Sequence, residues 1–257
     1  MKLLADRQII ELSGEDRIIF LQNLITNDLI DISEKKISHT FILNHLGKII
    51  FEFYIHYTSE CLLLDCNYAS ADELIKKLTM YKLRSKIVLR FREDLSVYWE
   101  ESKIIFPKDP RNKSIGSRKI NIRKSIRSQN DVSYYDHFRI KLGIAEINKD
   151  FLPSDMFAHE LNDYVNSISY TKGCYPGQEI VSRIYHKKAT SKKIFYPFHC
   201  IHLPRKMGTK LFYQDKEIGF FGSNSDKLTL AFVNKNFANL NFYIDDSNLV
   251  KKELLNK

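Results

Sequence analysis

The sequence predicts an α+β fold, in which antiparallel sheets carry short helices. Three observations indicate it. In the first half, short apolar and β-branched runs alternate with helical patterns of two to three turns. Asn44-His-Leu-Gly47 separates two apolar runs as a hairpin does. From Lys193 onward only short β runs remain, which favours a small C-terminal antiparallel barrel after ferredoxin-like modules.

The elements follow in chain order. Strands are predicted at 9–12, 41–43, 49–57, 61–66, 87–91, 95–100, 194–201, 210–213, 218–221, 228–233 and 241–244. A first helix carries Phe20 and Leu24, and Ser70 is expected to open a second one with Glu73 as its capping-box partner. Residues 109–133 are polar and basic and are interpreted as a long loop.

Composition limits the classes of function. With 257 residues, 44% hydrophobic and 28% charged, the chain is typical of a globular protein. Apolar runs stay well short of the roughly 20 residues that cross a bilayer, and the first ten residues resemble neither a signal nor a transit peptide. The sequence therefore predicts a soluble intracellular protein without a membrane partner.

The chain is basic, with 40 Lys and Arg against 31 Asp and Glu and a formal net charge of +9. The densest basic stretches are 111–127 and 187–193, but the remaining cations are scattered. Lys, Ile, Asn and Tyr are plentiful, as an AT-rich genome would produce. A solvated basic face is therefore favoured over a nucleic-acid interface, because charge alone is a weak signal.

The four cysteines do not form a disulfide framework in a chain of this length. Cys61 and Cys66 are five residues apart, which places them on opposite faces of a strand as packed thiols. Cys200 and His202 would share a strand face, but two ligands without a second pair do not make a zinc site. No resident metal site is expected.

One segment points to chemistry: Lys172-Gly-Cys-Tyr-Pro-Gly-Gln-Glu179. Cys174 lies just before a predicted helix at 178–187 and two residues after Lys172. A helix N-terminus and an ammonium group both stabilise a thiolate. Gly173 leaves room for an approaching ligand, and Gly177 permits an unusual turn. The alternative, a buried cysteine in a tight packing turn, stays open.

This octapeptide is similar to the K-G-C-Y/F-x-G-Q-E signature of YgfZ-type folate-binding proteins, a family of iron–sulfur cluster assembly factors. Other segments resemble that family in the same order, namely 20–28, 46–48, 81–86, 109–111 with Gly116 and Arg118, 139–144 and 152–153. The resemblance implies that Cys174 is the functional thiol. The motif residues that would support it are Lys172, Gly173, Tyr175, Gly177, Gln178, Glu179 and Arg183.

The resemblance also implies the fold of the glycine cleavage aminomethyltransferase (T-protein), in which three domains form a ring around a folate-sized cavity. The expected first module is 1–36 with 112–188, the second is 37–111 and the barrel is 189–257. A monomeric tetrahydrofolate-binding accessory factor is implied, which assembles or repairs clusters in iron–sulfur enzymes, including tRNA-modifying ones, or works with cluster carriers. It would bind a cluster only transiently if at all, with Cys174 as a redox-active thiol, a transient ligand or a partner contact. Its place would be the cytoplasm or, for a eukaryotic source, the mitochondrial matrix.

By family position and chemistry, Asn27, Tyr135 and Arg139 are expected to contact folate. Lys141 stands where T-proteins place a pterin-binding glutamate, and an ammonium cannot make that bidentate contact; alternatively, Lys141 points to solvent. Asp72 is the nearest candidate for the T-protein's catalytic aspartate, although the first turn of a helix also explains a carboxylate there. A one-carbon transferase and a basic RNA-binding module are the competing functions.

The first prediction concerns the thiols. Cys174 should be alkylated faster at neutral pH than Cys61, Cys66 or Cys200, because only Cys174 precedes a helix N-terminus beside a lysine. Mass-spectrometric mapping after brief iodoacetamide treatment measures the order. Labelling of Cys174 at the same rate as the other three would contradict the expectation of an activated thiolate.

Overall fold

The computed structural model describes residues 1–30, 37–101, 107–123, 132–188, 190–199, 206–237, 242–244 and 249–250. The strands are β1 (Lys2–Leu3), β2 (Arg7–Ser13), β3 (Ile37–Leu43), β4 (Ile49–Tyr57), β5 (Cys61–Asn67), β6 (Val88–Phe91), β7 (Leu95–Glu100), β8 (Ser117–Ile122), β9 (Lys193–His199), β10 (Lys210–Tyr213), β11 (Lys216–Ser225), β12 (Leu228–Asn234), β13 (Phe242–Ile244) and β14 (Leu249–Val250). The α-helices are α1 (Arg17–Gln22), α2 (Tyr68–Lys82), α3 (Val132–Lys141) and α4 (Gln178–His186). Among the described residues, no helix has the length and apolar character needed to span a membrane.

A five-stranded antiparallel sheet with the order β3-β4-β5-β2-β6 forms the centre of the N-terminal half. Its strands alternate their side chains between two buried faces, as the two-residue period requires. One face packs on Leu21 of α1 and Leu74 of α2. Cys66 lies in that cluster, while Cys61 packs on the cluster of the other face. The predicted strands and the opposite placement of these two thiols are confirmed.

A second sheet has the order β1-β7-β8 and corrects the long loop predicted for 109–133. Strand β8 pairs antiparallel with β7, from Leu95 opposite Ile122 to Glu100 opposite Ser117, and α3 begins at Val132. Ile120 and Ile122 alternate with polar residues along β8, which is the pattern of a strand. The prediction of a loop was wrong because it relied on the basic, polar composition of the segment.

The C-terminal sheet has the order β14-β13-β10-β11-β12-β9. Each of its five predicted strands has a counterpart, with ends that match or shift by up to four residues, and β14 adds a sixth strand. Cys200 and His202 lie outside the described residues. The apolar cluster beneath joins this sheet, through Phe195 and Phe232, to Phe41 of β3 and Val181 of α4. This cluster brings the segment around Cys174 against the N-terminal sheet.

The ring, the ferredoxin-like modules and the barrel stay predictions. The five-stranded sheet combines β2 with β3 to β6, which begin at residue 37 or later. It therefore takes strands from both sides of the predicted boundary after residue 36. The division into three domains therefore also stays a prediction.

Helix α2 begins earlier than the sequence predicted. Its N-cap is Asn67, whose side chain accepts a hydrogen bond from the backbone N–H of Ala69 at 2.9 Å. The predicted capping box at Ser70 is wrong, because Ser70 lies within the helix, buried, and its hydroxyl accepts a hydrogen bond from Asn148. Asp72 is exposed and lies beyond the first turn.

The second prediction tests this cap. Asn67→Ala should lower the free energy of unfolding by about 1 kcal/mol, since it removes the acceptor for an otherwise unpaired N–H. Glu73→Ala, the matched control, should cost less than about 0.5 kcal/mol because its pair with Lys76 is exposed. Urea unfolding followed by circular dichroism measures both. A larger loss for Glu73→Ala than for Asn67→Ala would favour the capping box instead.

Candidate functional site

The interior between the sheets contains a network of buried charges centred on Arg111. One of its guanidinium nitrogens, Nη2, donates hydrogen bonds to Asp109 Oδ2 at 3.1 Å, to Glu146 Oε1 at 3.0 Å and to the Tyr135 hydroxyl at 2.8 Å. Nη1 reaches Glu52 Oε1 at 3.4 Å. All five residues are buried. A cation this deep requires such partners, because an unpaired buried charge costs several kcal/mol.

Two further arginines share one carboxylate in the same network. Arg7 Nε lies 2.6 Å from Asp65 Oδ1, and Arg118 Nη1 lies 2.7 Å from Asp65 Oδ2. Burial alone would raise the pKa of Asp65, but the two guanidiniums hold that pKa below its ordinary value. Arg118 also donates to the Tyr135 hydroxyl at 2.9 Å, which joins this pair to the Arg111 group.

Arg139 links α3 to the C-terminal sheet. Its Nη1 lies 2.6 Å from Asp150 Oδ2, and its Nη2 donates to Ser223 Oγ of β11 at 2.6 Å. Asp150 Oδ1 accepts from both the backbone N–H and the hydroxyl of Ser223. Tyr135 and Arg139, two of the predicted folate-contacting residues, are thus buried among protein partners.

A cavity of about 490 Å³ lies beside this network. It is lined by Asn27, Ile37, Ser38, Pro107, Lys108, Asp109, Pro110, Arg111, Lys113, Val165, Asn166 and Ile168. The Asn27 amide donates to Ser38 Oγ at 2.8 Å and to the Asn166 carbonyl at 2.9 Å. Asn27 is therefore the one predicted folate residue on the cavity wall. Lys141 ends α3, is exposed and does not line this cavity.

Two polar side chains near the cavity, Asp163 and His39, were not among the site residues predicted from the sequence. Burial raises the pKa of Asp163 to about 7, and its Oδ2 has no hydrogen-bond partner among the described residues, Arg111 Nε lying 3.9 Å away. His39 connects Ser167 Oγ (2.7 Å from Nδ1) to Glu52 Oε1 (2.9 Å from Nε2), and burial lowers the pKa of His39. Ser167 is fully buried, so this arrangement supports the packing and offers no accessible nucleophile. No sequence motif joins these residues, because they lie far apart in the chain.

Cys174 is exposed on the turn that precedes α4. The Lys172 ammonium is engaged by backbone carbonyls instead of the Cys174 thiol. Its Nζ donates to the carbonyls of Gln22 at 2.5 Å, Ile25 at 2.7 Å and Asn27 at 3.0 Å. Burial lowers the pKa of Lys172 to about 8. The expected role of Lys172 in activating the thiol is therefore replaced by a structural one, which anchors this turn to the end of α1.

Gly177 holds the other side of the turn. Its φ of +79° is left-handed, and a Cβ there would lie 2.6 Å from the Asn44 carbonyl and 3.0 Å from the Gly47 Cα. The hairpin between β3 and β4 therefore packs directly on the Cys174 turn. Tyr175 is buried in the core beneath. The alternative, a buried cysteine in a packing turn, is excluded, since Lys172 and Tyr175 are buried while the Cys174 thiol is exposed.

Polar side chains surround the thiol on an open depression. His45, Gln178, Glu179, Arg183 and His186 line this depression with Cys174. Glu179 and Arg183 form an exposed ion pair at 2.8 Å. Among the described residues, no three His, Cys, Asp or Glu side chains are grouped as a metal site would require. This depression therefore presents the sulfur of Cys174 on a firmly held backbone.

Comparison with known proteins gives the family context. No family model matches the chain. The mitochondrial iron–sulfur cluster assembly factor IBA57 homologue of Pyricularia oryzae is 28% identical over 215 residues, which cover 74% of this chain and 55% of that protein. The mouse factor IBA57 is 26% identical over 230 residues, covering 75% and 64%. The chain is similar in sequence to iron–sulfur cluster assembly factors. It spans about half the length of the fungal relatives that it matches.

The fold has a counterpart among solved structures. The aminomethyltransferase T of the glycine cleavage system from Bartonella henselae superimposes with a TM-score of 0.74, covering 98% of this chain and 84% of that one. Sequence identity is 12%, so the likeness concerns the fold alone. The expected similarity to the aminomethyltransferase fold, with mixed helices and sheets, is confirmed.

The third prediction tests the held turn. Gly177→Ala should lower the free energy of unfolding by at least about 1 kcal/mol, because it combines a left-handed φ with a backbone clash. Gly173→Ala is the matched control and should change stability by less than about 0.5 kcal/mol, since nothing lies within 4 Å of its Cβ position. Thermal unfolding compares the two. Equal effects would mean that Gly177 is not required by the turn.

Proposed function

We propose that this protein is a YgfZ-type, tetrahydrofolate-binding accessory factor for the assembly or repair of iron–sulfur clusters, acting through Cys174. The observation that carries the proposal is the exposed thiol of Cys174 on a turn anchored by Lys172 and Gly177. The sequence similarity to cluster assembly factors supports it. The clients include tRNA-modifying iron–sulfur enzymes.

The chemistry of the site agrees with a transfer role. Thiolates bind iron in clusters, and a cubane or rhombic cluster has four protein ligands. Cys174 supplies one ligand, so the cluster is cargo whose other ligands come from a carrier or a client enzyme. The proposed partners are therefore iron–sulfur proteins, and the open depression around Cys174 leaves space for them to approach.

The proposed folate site is the cavity lined by Asn27. Its volume of about 490 Å³ lies within the range of small-molecule sites. Lys108 and Lys113 line it and would attract the carboxylates of a glutamate tail. Tyr135 and Arg139 do not line this cavity. They would support the site indirectly, because Tyr135 contacts Arg111 and Arg139 links α3 to the C-terminal sheet. A one-carbon transferase is disfavoured, since Asp72 is exposed and outside this cavity.

The similar iron–sulfur cluster assembly factors described above are mitochondrial proteins. We therefore assign the protein to the mitochondrial matrix if its source is eukaryotic and to the cytoplasm if it is bacterial.

The fourth prediction tests the thiol in cells. In a strain that lacks its own copy of the gene, Cys174→Ser should leave iron–sulfur enzyme activities and thiomethylated tRNA at the level of the deletion, because the exchange removes only the accessible sulfur. Cys61→Ser, which keeps a hydroxyl beside Thr58, is the matched control and should restore both. Immunoblots establish equal protein levels. Full restoration by Cys174→Ser would refute the proposed role of the thiol.

The fifth prediction tests the folate site. Lys113→Glu should weaken tetrahydrofolate binding by about tenfold, since it reverses a charge on the cavity wall. Lys141→Glu is the matched control and should change the affinity by less than about twofold, because Lys141 is exposed and outside this cavity. Calorimetric titration measures both. Equal affinities for Lys113→Glu and the wild type, or tighter binding by Lys141→Glu, would place the site elsewhere.

A further inference from the structure

A second cavity, of about 260 Å³, lies beside α4. Ile168 and Val181 line it and also belong to the apolar cluster under the C-terminal sheet, so the cavity reaches down to the core. We name it the aromatic pocket, because five of the residues that line it carry rings, namely Phe157, His159, Tyr164, Tyr170 and Tyr185.

Helix α4 separates the aromatic pocket from the depression around Cys174. Side chains three and four positions apart share one face of a helix. The face toward the pocket consists of Val181, Ile184, Tyr185 and Lys188, and the face toward the depression consists of Gln178, Ser182, Arg183 and His186. The pocket is therefore a site of its own and not an extension of the depression.

The rings of the pocket favour a flat aromatic occupant. Tyr170 and Tyr185 stack with their ring centres 3.8 Å apart and their planes 19° from parallel. The ring centres of Phe157 and His159 lie 5.6 Å apart. Such rings attract a further ring by stacking or edge contact, in addition to the burial of its area. Since the volume lies just below the range of drug-sized sites, the occupant has one or two rings.

The charges around the pocket favour a carboxylate on that occupant. Lys188 is exposed, lines the pocket and forms no ion pair with any residue that the structure describes. Lys48 Nζ lies 5.4 Å from the ring centre of Phe157. Among the described residues, no Asp or Glu lines the pocket, and neighbouring Glu160 accepts a hydrogen bond from the Phe157 N–H at 2.9 Å. Aromatic cages can bind ammonium groups, but the two lysines would repel one.

Two polar wall residues carry no charge at neutral pH. Burial lowers the pKa of His159 and raises the pKa of Tyr170 to about 12. The imidazole and the phenol can therefore exchange hydrogen bonds with the edge of an occupant without adding charge. An apolar pocket with a few convergent polar groups is the usual form of a small-molecule site.

We infer that the aromatic pocket binds a small planar aromatic carboxylate, whose ring lies against Tyr170 and whose carboxylate pairs with Lys188. The occupant is a free small molecule and not a side chain of a partner protein, because no aromatic side chain carries a carboxylate of its own. This inference is independent of Cys174, of the cavity lined by Asn27 and of the proposed function.

Saturation-transfer NMR on the full chain tests the inference with three probes of similar size. Hydrocinnamate should bind with a dissociation constant of about 5 mM or lower, as expected for a ligand of this size. Cyclohexanepropionate lacks the aromatic face and phenethylamine carries an ammonium instead of the carboxylate. Each should bind at least about threefold more weakly than hydrocinnamate.

Lys188→Gly separates binding from folding. Lys188 has a left-handed φ of 48° at the end of α4, where its N–H donates to the Tyr185 carbonyl at 2.9 Å and glycine is the usual residue. Lys188→Gly should therefore unfold at the same or a higher temperature, yet bind hydrocinnamate at least about threefold more weakly. Tyr170→Leu, which keeps the apolar bulk without the ring, should weaken binding similarly.

Lys187→Ala is the matched control. It removes the neighbouring exposed ammonium, which does not line the pocket, and should keep the affinity for hydrocinnamate within about twofold. Unchanged affinity in Lys188→Gly and Tyr170→Leu would overturn the inference, since hydrocinnamate would then bind elsewhere.

The probes themselves supply the other contradicting results. No detectable binding of hydrocinnamate at tens of millimolar, equal binding of cyclohexanepropionate or tighter binding of phenethylamine would each overturn the inference. So would tighter binding of uncharged N-acetylphenylalanine amide, because the pocket would then suit the side chain of a partner protein better than a free acid.

Discussion

The buried guanidinium of Arg111 is the interaction on which the arrangement of the chain depends. It contacts carboxylates from β4 and from two loops and the hydroxyl of Tyr135 on α3. Moving charges out of water costs several kcal/mol for each ion, and only close partners offset that cost. Every segment that contributes a partner is therefore held at a defined distance from Arg111. Arg118 and Arg139 extend the same constraint to β5 and to the C-terminal sheet.

This constraint explains why the segments that resemble the assembly-factor family divide into two kinds. Asp109, Arg111, Arg118 and Arg139 are buried and maintain the frame. The segment around Cys174 is attached to that frame at its ends, and its sulfur is left open to solvent. Buried charges thus supply geometry, and the thiol of the proposed function lies at the surface. The proposed transfer of a cluster needs both, because the thiol would have to meet a partner in a reproducible position.

Short apolar and β-branched runs predicted β2 to β5, and the Asn44–Gly47 segment between two of them predicted the hairpin, because both signals are local in sequence. The opposite faces of Cys61 and Cys66 followed from the two-residue period of a strand. The partners of charged side chains were not predictable in this way. Arg118 looked like part of a basic loop, and Lys172 looked like an activator of Cys174, because ion pairs and carbonyl contacts join residues far apart in sequence. The cap at Asn67 was missed because Ser70 offered an equally good local pattern.

A double-mutant cycle between Arg111 and Glu146 tests the central claim most directly. Arg111→Met and Glu146→Leu should each destabilise the protein by about 3–5 kcal/mol in urea unfolding, since each removes one partner from a buried group of charges. The double variant should cost less than the sum of the two, with a coupling free energy of at least about 1 kcal/mol. Additive losses would show that the two charges act independently, which would contradict a network that holds the chain together through Arg111.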